Sequence, residues 1–195
     1  MGHPPVAVNV SGNLRVYGSY NANDVTSYAA NSHGMVDMVA VSQHHDAEFI
    51  SRQTQGSEEN YLGAKQGAAL FNVAEAYHQA FPTDSKLTFT GGSTAEGLPA
   101  LNPQTGEPLH SSHHDGVNVD LKYMSPSGNS THSAGADVER TLFLLHAFAG
   151  QNAGLGAALT GTPIRFGLAH HRLEAMHMSH MHFQRNYPPS PKKGQ

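Results

Sequence analysis

Apolar positions recur along the chain at two spacings, and each spacing predicts a different kind of element. Leu62, Ala69, Leu70, Val73, Tyr77 and Ala80 keep a helical interval, Ser57 and two acids mark a start, and Pro82 follows the end. They predict a helix over residues 58–80. A second apolar stripe, Val138, Leu142, Leu145, Phe148 and Ala149, predicts a buried-face helix over 137–150. Elsewhere the interval shortens to two. Leu87 and Phe89 alternate with polar neighbours over 86–90, before Gly91 and Gly92; Val117, Val119 and Leu121 alternate with Asn118 and Asp120; Met181 and Phe183 alternate with His180 and His182 within 178–184. Each predicts a strand, as does the short stretch 163–169. In the first 55 residues Gly, Asn and Ser interrupt every apolar run, and only 14–20, with Leu14, Val16 and Gly18 on one face, reads as a strand. Residues 98–109 and 125–134 are polar, turn-rich loops, and 188–195 is a mobile Pro- and Lys-rich tail. The expectation is an α+β fold: a small, mostly antiparallel sheet flanked by two or more helices, with long loops, in a single domain over residues 1–187.

Composition narrows the function classes. A chain of 195 residues can bury a core without metals or disulfides to help it. A net charge of -4 gives no basic face for phosphates, so nucleic acid is not an expected partner. There are 0 cysteines, which excludes thiolate metal sites and leaves His, Asp and Glu as the ligands for any transition metal. No stretch is apolar for the roughly 18 residues of a membrane span, and no export signal is visible at the start. The reading is of a soluble chain made in the cytoplasm.

Histidine is the outlier, at 15 residues, clustered at His44–His45, His110–His114 and His170–His182. In the second cluster His113 falls in a predicted loop and Asp120 on the strand that follows, with Gly116 between them to permit a sharp backbone path. In the third, His180 and His182 lie two apart on a predicted strand and face one way. Two imidazoles, one carboxylate and an open fourth position form the donor set of a catalytic Zn2+ site. His113, Asp120 and His182 are the candidate ligands. His180, beside the last of them, suits a general base or hydrogen-bond donor. His44 and His45 have no partner at useful spacing and read as a solvated loop. Glu174 reads as a surface residue or a support for one histidine. The methionines at 176, 178 and 181 read as core or strand-side packing.

The run Ser111, His113, Gly116 and Asp120, closed later by His180-Met181-His182, resembles the penicillin-insensitive murein endopeptidases. These belong to a wider group of zinc peptidases that includes D-alanyl-D-alanine peptidases and phage endolysins. The resemblance covers about residues 85–185, and it extends to a histidine three before the first ligand and another five before the last, here His110 and His177. It implies zinc on His113, Asp120 and His182, His180 as base, and His110 and His177 around the water or substrate. Asn118 stands where the narrower family usually has Asp, and Gly92, Ser93 and Thr94 stand where the wider group often has Arg.

The implied function is a zinc metallopeptidase that hydrolyses peptide crosslinks of bacterial peptidoglycan, as an antibacterial effector or lysis enzyme. Its partners would be peptidoglycan stem peptides and, for an effector, an immunity or inhibitor protein. It would act in the periplasm or on the cell wall after delivery by another route. A D-Ala-D-Ala carboxypeptidase or L,D-peptidase on the same site, and a non-catalytic zinc-binding module, are the alternatives.

Overall fold

Leu14 and Val16 are both buried, so the alternation near the N-terminus does build a strand, and it belongs to a larger unit than its sequence announces. A computed structural model describes residues 7–18, 21–44, 50–52, 59–109, 113–151, 153, 155, 157–160, 171–173 and 178–184. Strands β1 (Ala7–Val10), β2 (Asn13–Gly18) and β3 (Asn21–Tyr28) form an antiparallel sheet in the order β1-β2-β3. β4 (Met35–Asp37) leads directly into α1 (Met38–His44), whose first turn is capped by Asp37 Oδ1 accepting from Val39 N–H at 2.9 Å. His44 therefore ends a helix rather than lying in a loop. β5 (Ile50–Arg52) follows, and β6 (Tyr61–Gly63) pairs antiparallel with β4.

That pairing moves the start of the long helix. α2 spans Ala64–Ala80 rather than starting at 58, because residues 61–63 spend their backbone hydrogen bonds on β4. Leu62 is fully buried, but from a strand. Within the helix Ala69, Leu70, Val73 and Tyr77 of the expected stripe are buried, while Ala80 at its end is exposed. α2 lies against the β1-β2-β3 sheet, and a methyl placed on Gly67 would come 3.1 Å from Met38 Sδ and 3.3 Å from Leu14 Cδ2, so those side chains would have to shift by a few tenths of an ångström.

The remaining strands are β7 (Leu87–Gly91), β8 (Val119–Leu121), β9 (Tyr123–Met124), β10 (Ser130–Thr131), β11 (Ala157–Thr160), β12 (His171–Leu173) and β13 (Met181–Gln184). Five of them join β5 in the six-stranded main sheet, in the order β12-β11-β13-β8-β7-β5. Its three central pairings are antiparallel and its two outermost pairings are parallel. The expected α+β architecture, with a small and mostly antiparallel sheet, is what the described residues show.

α3 (Val138–Gly150) begins where its sequence said, with Asp137 as N-cap accepting from Arg140 N–H. Its buried face differs from the expected one. Thr141, Leu144, Leu145 and Phe148 are buried while Val138 is 49% exposed. The Thr141 hydroxyl donates to the Asp137 carbonyl at 2.6 Å, which satisfies it internally and lets a polar residue turn inward. One apolar core runs from Ala7 and Leu14 through α2 to Phe148 and Phe183, whose rings sit 4.2 Å apart. Met181 is part of it, whereas Met178 is 53% exposed and does not pack as core. The expected strand at 163–169, Met176, His45, Glu174 and the tail at 188–195 lie outside the described residues.

Candidate metal centre

Asp120 and His182 are direct cross-strand neighbours in the β8–β13 register. On adjacent antiparallel strands this puts both side chains on one face with their Cβ atoms a few ångströms apart. His113 arrives from the loop before β8. Its path turns through Asp115 (φ 56) and Gly116 (φ 60), both in the left-handed region. The second of these is closed to any side chain, because a Cβ on Gly116 would lie 2.3 Å from Gly63 N. Gly63 N–H donates to the Gly116 carbonyl at 3.0 Å, so the loop is fastened to the segment leading into α2. The function inferred for Gly116 from sequence holds, and its cause is close contact as well as backbone angle.

The alternation over 117–121 is only partly strand: β8 begins at Val119, and Asn118 just before it is buried. Neither face of this segment meets water. Val119 and Leu121 enter the core, and Asp120 is 3% exposed because the opposite face is covered by histidines. His113 Nε2 lies 3.2 Å from Asp120 Oδ2, and His182 Nδ1 lies 2.6 Å from Asp120 Oδ1. The two imidazole rings are 5.1 Å apart. Each has its far nitrogen beside a protein acceptor, His113 Nδ1 at the Gly92 carbonyl and His182 Nε2 at Gln184 Oε1, 3.0 Å away. With a cation on His113 Nε2 and His182 Nδ1, these acceptors would take the proton of each far nitrogen and orient the rings.

His180 completes the group from just outside β13. Its Nε2 lies 3.3 Å from Asp120 Oδ2 and its Nδ1 lies 2.9 Å from Ser179 Oγ. It is the most open of the four, with a side chain 14% exposed against 1% for His113 and 0% for His182. Burial works to lower the pKa of His113, but the Asp120 carboxylate, with smaller contributions from Glu59 and the Gly92 carbonyl, raises it to about 9. Burial likewise pushes Asp120 up, and the charge and hydrogen bonds of His113 and His182 overcome it, holding this carboxyl well below the usual range. Without a cation the carboxylate binds protons through its neighbours.

One ligand atom from each of His113, Asp120 and His182 can be chosen so that all lie within 4.8 Å of one another. This buried group could hold a metal ion. The donor set fits: two imidazoles with oriented far nitrogens and a carboxylate, in a pocket whose fourth side is the more open His180. His110, Ser111 and His177 lie outside the described residues. Sequence reading missed two side chains. Gln184 shares the strand of His182 two places on, so strand alternation could have flagged it. Glu59, buried at 3% exposure, carried no spacing signal.

The fold and the site together define an α+β protein with a buried candidate metal centre at the middle of its main sheet. No protein-family model matches the chain, and no curated protein matches it significantly. Among the described residues no helix is long and apolar enough to cross a membrane.

Proposed function

We propose that this chain is a zinc-dependent peptidase acting on the peptide crosslinks of bacterial peptidoglycan, in the manner of the murein endopeptidases that its motif resembles. The observation that carries the reading is the convergence of His113, Asp120 and His182, from a loop and two strands, with a third imidazole, His180, on the more open side. A structural site needs only its ligands; a partly exposed imidazole next to a carboxylate ligand can serve as the general base of a hydrolytic reaction. Zinc, when bound, supplies a Lewis acid that polarises the scissile carbonyl and makes water acidic near neutral pH.

The chain's own groups supply the rest. Gly92 and Gln184 orient the His113 and His182 rings so that Nε2 and Nδ1 can ligate. His180 Nε2, in reach of both the pocket and Asp120 Oδ2, takes the proton from the attacking water and returns it to the leaving amine. Ser179 Oγ steadies the other ring nitrogen. Stem peptides of peptidoglycan are the substrate class implied by the motif, and an immunity or inhibitor protein fits an effector role. Incubating the zinc-loaded protein with isolated peptidoglycan and identifying the released fragments by mass spectrometry tests this directly. Crosslinked dimers converted to monomers are expected; an unchanged fragment pattern from zinc-loaded protein would overturn the proposal.

A further inference from the structure

Glu59 precedes β6 and is 3% exposed. Its backbone and side chain both make contacts that lead to the metal centre. The Glu59 carbonyl accepts from Gly92 N–H at 3.0 Å, and the carbonyl of that same Gly92 accepts from His113 Nδ1–H. Glu59 Oε1 accepts from Ala100 N–H at 3.0 Å, which ties the 98–109 excursion to the floor of the site. Glu59 Oε2 faces a gap left by a missing side chain. A Cβ built on Gly91 would lie 3.6 Å from Glu59 Oε2, 3.5 Å from Asp120 Oδ2 and 3.4 Å from His113 Cε1. Gly91, having no side chain, leaves this second carboxylate, Asp120 and His113 grouped around one point.

Charge arithmetic gives the position a function. A divalent cation on two neutral imidazoles and one carboxylate leaves one positive charge in a buried pocket, which is costly unless it is compensated. We propose that Glu59 is a positioning residue of the metal centre: its buried carboxylate balances the bound cation from beyond the ligands while its backbone holds His113 through Gly92. The inference rests on the metal-site reading above. It is independent of the substrate.

The test is zinc affinity, measured on the full chain by competition with a chromophoric chelator, alongside thermal unfolding of the metal-free protein. Glu59→Gln keeps an acceptor for Ala100 N–H and removes only the charge. Zinc affinity is expected to fall about ten- to a hundredfold, the range for groups that support metal ligands, with a cooperative unfolding transition retained. Glu59→Asp, which restores the charge on a shorter side chain, should recover most of the affinity. Wild-type affinity in Glu59→Gln would overturn the proposal and leave Glu59 as an anchor for Ala100. Loss of the cooperative transition in Glu59→Gln, or equal weakness in Glu59→Asp, would overturn it in favour of a purely structural role. No zinc binding by the wild-type chain would instead overturn the metal-site reading itself.

Discussion

Asp120 touches three imidazoles, and its loss should differ in kind from the loss of any one of them. Asp120→Ala and His113→Ala are expected to abolish tight zinc binding, whereas His180→Ala should keep about one zinc per chain. The same His180→Ala protein should lose about a hundredfold to ten-thousandfold of its hydrolytic rate. Metal analysis paired with a peptidoglycan assay separates the two classes. Zinc lost from His180→Ala would make His180 a ligand instead of a base. The pH behaviour of the metal-free protein follows from the two shifted groups. His113 is raised from 6.5 to about 9, so its contribution to stability is complete below 6.5 and disappears as pH rises through about 9. Asp120 is lowered from 3.8, so its contribution is present above that value and disappears as pH falls through the lowered one. Denaturant midpoints of the metal-free protein should therefore fall from pH 6.5 to 9. Over the same range zinc should bind more tightly with rising pH, because binding displaces the His113 proton. At this scale the grouping of His113, Asp120 and His182 was legible because two-residue strand spacing and a loop glycine are local signals. Glu59 was not legible, since only tertiary folding brings it beside Gly91.

The two main helices are joined by one buried carboxylate. Asp84 Oδ2 accepts from Tyr77 Oη and from Arg140 Nε, both at 2.6 Å, while Arg140 Nη2 donates to Oδ1 at 2.9 Å. The end of α2 is thereby clamped to the first turn of α3. The Arg140 guanidinium, by its hydrogen bond and charge, outweighs burial and keeps the Asp84 carboxyl below its ordinary value. Replacing Asp84 with Asn should cost about 1.5–3 kcal/mol at neutral pH, the range for a hydrogen bond to a charged group. That difference should shrink as pH falls through the lowered pKa of Asp84, because the contribution of a depressed carboxyl is lost on protonation. Urea unfolding at two pH values measures both. A cost that is unchanged in acid would mean that the clamp works by shape and not by charge. Helices were the most legible elements, since Leu70, Val73 and Tyr77 keep one phase over several turns. What the pattern could not give was the start of α2, because Leu62 satisfies a strand and a helix equally well and only pairing with Val36 decides. β3, with the sequence NANDVTSY, has almost no apolar signal and exists through its backbone pairing to β2.

For the molecule as a whole, the order β12-β11-β13-β8-β7-β5 was invisible in sequence, because adjacent strands come from distant parts of the chain. Its class was legible, since alternating segments separated by two long helical ones allow few arrangements. A ligand that binds only the folded state adds stability by mass action, about 2.7 kcal/mol at a hundredfold excess over Kd. Zinc should therefore raise the thermal midpoint of the wild-type protein and leave that of Asp120→Ala unmoved. A shift in both would place the zinc elsewhere.

The register His182↔Asp120 sits in the middle of that sheet, flanked by Met181↔Leu121 and Phe183↔Val119. A slip of one residue would set Met181 or Phe183 against Asp120 and turn His182 to the wrong face. A thioether is a far poorer zinc ligand than an imidazole and a phenyl ring is none, so a misaligned strand pair loses a ligand. If the site takes zinc as proposed, zinc present during refolding should favour the correct strand alignment, because only that register presents both ligands. Chains diluted from denaturant into zinc should recover more native protein than chains diluted without it, and Asp120→Ala should gain nothing from the metal.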